Sequence, residues 1–116
     1  MQYFGRATIV VNGKALDSLP GAKLELGGVI RKAVTTDSRT GYVEELAPGR
    51  VECEVAVSKE TDFAGLRDLV DATVLFRTDV GKNFVVRDAF TEDGIKAEGK
   101  DGKMSLKLTG QAAEEA

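Results

Sequence analysis

Three groups of residues have the types and spacing that chemistry would need. The first is Gly94-Ile95-Lys96-Ala97-Glu98-Gly99-Lys100-Asp101, which carries the glycine spacing and the lysine of a phosphate-binding loop. Such a loop needs a strand before it, a helix after it and a Ser or Thr hydroxyl on the magnesium. Asp101 stands where the hydroxyl should be, and neither flanking element is evident, so the segment reads as a β-hairpin with its turn. The second group is Glu52 and Glu54. Two carboxylates can divide acid and base work, but two residues apart on a strand they sit about 6.5–7 Å apart and face outward. A solvated or assembly-facing surface is the better reading of that pair. The third is Cys53, which falls on the apolar face of the same strand and is expected to be a buried, inert thiol.

What is missing narrows the chemistry further. The chain has no histidine, which removes His-based triads, His general bases and nearly all His-containing metal sites. A Ser–Lys pair stays formally open, although no spacing supports one. The acidic residues are scattered, without the alternating ligands and closing Glu of a calcium loop. The expectation is therefore no enzyme, no cofactor and no metal, but a structural or binding role.

The elements that would position these residues are short and mostly of period two. A length of 116 residues fits one domain spanning 1–116. Ala7–Val11 reads as a strand closed by Asn12-Gly13, a strong hairpin signal, with Lys14-Ala15-Leu16 pairing back. Ala22–Leu26 is a second strand, interrupted by Gly27-Gly28, and Val29–Val34 continues extended. Residues 35–49 read as a long loop or arm of small polar residues, and such a loop often has a task. Arg50–Ser58 alternates most clearly, with Val51, Cys53, Val55 and Val57 on one face. Thr61 or Asp62 can cap one short helix whose face carries Phe63, Leu66, Leu69 and Val70. Strands at Ala72–Thr78 and Asn83–Phe90 follow, then a hairpin of Ile95–Glu98 with Lys103–Thr109, and a small acidic tail at residues 111–116. The fold class is mainly β: a sandwich or partly closed barrel of about seven strands with one short flanking helix.

Charge and termini limit the partners. The net charge is −3 with no basic stripe, which argues against a protein that grips nucleic acid. Met1–Arg6 lacks the basic start and apolar run of a signal peptide, and runs such as Ile9-Val10-Val11 are too short to cross a bilayer. The single cysteine permits no intrachain disulfide and fits a reducing compartment. A soluble protein made in a cytoplasm is expected.

The order of segments resembles the Mu-like phage tail tube family. The likeness runs through Gly5-Arg6-Ala7-Thr8-Ile9, Val11-Asn12-Gly13-Lys14, Leu19-Pro20-Gly21-Ala22 and Gly27-Gly28-Val29. It continues at Gly41-Tyr42, Glu52-Cys53-Glu54-Val55, Asp71-Ala72-Thr73-Val74, Thr78-Asp79-Val80-Gly81-Lys82 and Arg87-Asp88-Ala89. The resemblance implies a virion protein, assembled in the host bacterial cytoplasm, that forms hexameric rings stacked into a hollow tube. A contractile sheath would enclose the tube, with baseplate or tail-tip proteins at its end, and DNA and tape-measure protein would pass through the lumen. Thr36, Asp37, Arg39, Gly41, Tyr42 and Glu44 are then candidates for an assembly arm. Lys23, Glu25, Glu52 and Glu54, on polar strand faces, are candidates for the lumen wall. Two alternatives are a type VI secretion-type tube protein and a small β-barrel ligand-binding module, the latter disfavoured by the absence of tryptophan and the scarcity of tyrosine.

Overall fold

A computed structural model describes residues Met1–Ala116. The Asn12-Gly13 turn, with both residues at positive φ (50° and 82°), joins β1 (Ala7–Val11) to β2 (Lys14–Ala15). Both residue types tolerate that geometry, which matches the twist of a hairpin. Then come β3 (Lys23–Glu25), β4 (Gly28–Thr35), β5 (Thr40–Ala47) and β6 (Gly49–Ala56). The helix α1 (Phe63–Arg67) leads to β7 (Ala72–Thr78), β8 (Asn83–Thr91), β9 (Lys96–Glu98), β10 (Lys103–Gly110) and β11 (Glu114–Glu115). The chain has eleven strands, seven of them of five residues or more, and is mainly β as expected.

Neighbouring strands follow the order β2-β1-β7-β8-β10-β6-β3, with β11 added to β8 and β9 to β10. This path folds over one core, sandwich-like, and its two ends do not join into a closed barrel. Strand β8 makes the fold-over possible. It pairs with β7 near Val85 and with β10 at Phe90 and Thr91. Between these lies a register shift at which Asp88 takes φ 53°, a bulge that bends the strand from one layer to the other. One layer contributes Ile9, Val11, Val74, Phe76 and Val86 to the core; the other contributes Val51, Cys53, Val55, Met104, Leu106 and Leu108. Each set comes from every second residue of its strand, as the pleat requires.

Three elements differ from expectation. Residues 35–49, expected as a long loop or arm, contain a full strand at Thr40–Ala47, paired with β4 over eight positions as a separate two-stranded sheet. The acidic tail, where the sequence predicts no strand, places Glu114 and Glu115 against Val85 and Phe84 of β8. Asp62 caps the helix by accepting from the Gly65 N–H at 3.0 Å, but the helix stops at Arg67. Phe63 and Val70 are consequently exposed, and only Leu66 and Leu69 pack against the core. The chain has to turn into β7 there. Thr91 holds the helix end, its hydroxyl donating to the Leu66 carbonyl and its N–H to Leu69 O at 3.1 Å.

Candidate functional site

No catalytic constellation forms. Gly94–Asp101 is the β9–β10 hairpin region, and no helix follows it. Burial, reinforced by the Glu54 carboxylate, pushes the Cys53 thiol up to about 12, far from nucleophilic use at neutral pH.

Two surfaces remain. The first is the hairpin of β4 and β5, hereafter the arm. Its roots are built by glycines. Gly27 and Gly28 both take positive φ (71° and 87°), and a Cβ on Gly27 would lie 2.3 Å from the Pro48 carbonyl oxygen. The two legs therefore leave the sandwich side by side through a passage that admits no side chain there. Eight residues of strand reach about 26 Å, and almost every one is exposed. The radius of gyration is 16.6 Å and the longest extent 60 Å, whereas a compact domain of about 100 residues has a radius near 13 Å.

Among the arm candidates, Thr36, Asp37 and Arg39 form or flank the tip, where Thr36 N–H donates to Arg39 O at 2.8 Å. Gly41, Tyr42 and Glu44 lie on β5. The register puts Tyr42 opposite Ala33, Glu44 opposite Arg31 and Leu46 opposite Val29 on one face. Gly41 belongs to the other face, opposite Val34. The β4 half of the arm was not singled out in the sequence. The signal was present in the bracketing pairs Gly27-Gly28 and Pro48-Gly49, which mark where both legs leave the body.

The second surface is the outer face of β3, β6 and β10. It gathers all four remaining candidates, because Lys23 pairs with Glu52 and Glu25 with Arg50 across adjacent strands. The carboxylates there are matched rather than free. Glu54 meets Lys103, Glu25 lies 3.5 Å from Arg50, and Lys107 lies 3.8 Å from Glu52 and 3.4 Å from Glu92. The hydrogen bond to Glu54 raises the Lys103 pKa. Partial burial works to raise that of Glu92, yet the bond from Lys107 and the charge of Arg50 hold it below the ordinary carboxylate range. Five cations (Lys23, Arg50, Lys96, Lys103, Lys107) stand against six anions (Glu25, Glu52, Glu54, Glu92, Asp93, Glu98), so the face is densely charged and nearly balanced.

Residues 1–115 match the family described as phage tail tube protein. The Mu-like prophage FluMu tail tube protein of Haemophilus influenzae is 36% identical over 108 residues, covering 92% of this chain and 90% of that protein. The tail tube protein of Escherichia phage Mu is 31% identical over 104 residues, covering 90% and 86%. Proteins of this family are structural components of the virion and not enzymes. An open mainly-β sandwich without a catalytic site, carrying an exposed arm, thus belongs to the phage tail tube protein family.

Proposed function

We propose that copies of this chain close into hexameric rings, that the rings stack into a hollow conduit, and that β3, β6 and β10 present their charged face to its lumen. The observation that carries this reading is an arm with both faces exposed, because an isolated two-stranded hairpin is at best marginally stable in water. A surface of that kind is completed by a neighbour. Ring closure has its own candidate contacts: the four strands β3, β6, β10 and β9 end in short open borders at β3 and β9. Unpaired backbone groups at such borders favour pairing with another chain, and a head-to-tail contact repeated by rotation closes a ring.

The charge balance suits a passage. Phosphate adhesion needs an excess of Lys and Arg that releases counterions. A wall whose cations are balanced by neighbouring carboxylates, with Lys103 and Lys107 directly paired, lets DNA and tape-measure protein slide without specific binding. The other partners are the contractile sheath and the baseplate or tail-tip proteins, with assembly in the host bacterial cytoplasm.

The test is to replace Gly28–Ala47 by two glycines and follow the chain by sedimentation velocity, with circular dichroism as the check on folding. The shortened chain is expected to keep its β spectrum and to remain a monomer at concentrations where the full chain polymerises. Polymer of unchanged length from the shortened chain would remove the arm from assembly.

A further inference from the structure

One end of the sandwich is left open. Leu24 and Leu26 at the end of β3 stand across from Phe76 and Phe84 of β7 and β8, with Val80 at the β7–β8 turn. Phe4 packs edge-on against Phe76 at 5.9 Å and closes the floor. The result is a shallow apolar mouth of about 560 Å³. Its rim carries Lys82, whose ammonium lies 3.1 Å from the Glu115 carboxylate, both side chains being more than half exposed. An exposed pair of that kind contributes little and exchanges easily.

The arm offers the complement. Val29, Tyr42 and Leu46 share one face and are 54%, 62% and 85% exposed. Glu44 sits among them without an ion pair, because Arg31 opposite it lies over the Tyr42 ring at 5.3 Å. The other face differs: there Glu45 is already bound by Lys32 at 3.0 Å.

We propose that this mouth is the seat for the arm of a second copy. Val29, Tyr42 and Leu46 enter the apolar cleft, and Glu44 takes Lys82 at the rim in place of Glu115. The tail thereby acts as a weak stand-in that keeps the rim cation paired until a neighbour's arm arrives. This rests on the reading of the chain as a self-assembling tube subunit and adds where the arm goes. The arm leaves the body immediately after Leu26 and makes its strand pairing only with itself, so the contact runs between copies. Such a contact, arm to mouth, is heterologous, closing a ring where its rotation closes and extending a stack where it does not.

Two variants that each add one cysteine, Leu46→Cys and Val80→Cys, test the seat when mixed in equal amounts and oxidised. Both positions are exposed, and the native Cys53 is buried, so the new thiols alone react. Disulfide-linked dimers are expected from the mixture and not from either variant alone. As a second measurement, Lys82→Glu should cut polymer mass by at least about tenfold through like-charge repulsion, and adding Glu44→Lys should restore it. Polymer that forms without the cross-link, together with no rescue by the charge exchange, would overturn the seat while leaving the tube reading in place. A mixture that never associates would overturn both.

Discussion

Cys53 is the clearest single-residue consequence of the fold. It sits on β6 between two carboxylates that face outward, while its sulfur faces the core. With the thiol near 12, roughly one molecule in ten thousand carries the thiolate at pH 8. The native protein should therefore resist a disulfide reagent at pH 8 for hours and react stoichiometrically once denatured. Rapid reaction of the native thiol would contradict the burial. This residue was legible in the sequence, because strict alternation from Val51 to Val57 assigns its face without knowledge of any partner strand. The ion pairs beside it were not. Lys103 and Glu54 are neighbours only because β10 pairs with β6 in a register that places Ser105 opposite Glu54, and no local pattern encodes a register between segments so far apart in the chain.

Among the elements, the N-terminal segment is the one whose attachment depends on ionisation. The Asp79 carboxylate accepts from the Gly5 N–H at 3.2 Å, and Asp79 N–H donates to Arg6 O at 3.1 Å. The bond from the Gly5 amide is the first cause that holds the Asp79 pKa below its ordinary value, outweighing desolvation. A group whose pKa is lowered by folding stabilises above its unfolded value, and that contribution disappears as pH falls through the folded value. Protection of the Gly5 amide against hydrogen exchange should accordingly fade as pH drops below about 4, and should be lost at pH 7 in Asp79→Ala. Unchanged protection in that variant would place the anchor elsewhere. At this scale β1, β7, β8 and β10 were legible from alternation, since each has one face in the core. The strand β5 was not legible as such, and residues 35–49 read as a long loop or arm, because both faces of β5 meet solvent in a single copy, so apolar and polar residues do not alternate along Thr40–Ala47. The pairing of the acidic tail was not legible either: two residues of pairing to β8 are set by backbone bonds and by Gly49, where a Cβ would lie 2.4 Å from Gln111 O.

For the whole molecule, the decisive feature is that one copy is complete in its core and incomplete at its surface. The thirteen buried apolar residues form one continuous cluster, whereas the arm, the β3 and β9 borders and the open mouth all lack partners within the chain. The family implies self-assembly into a tube, and the proposed tube would account for all of these features with a single kind of neighbour. The most direct measurement is electron cryo-microscopy of the purified chain at high concentration, alone and co-expressed with other tail proteins. The account predicts hollow tubes of stacked sixfold rings in which Lys23, Glu25, Glu52 and Glu54 line the lumen and the Gly28–Ala47 arm lies on an adjacent copy. A chain that stays monomeric in both preparations, or a tube with that charged face on its outer wall, would contradict it.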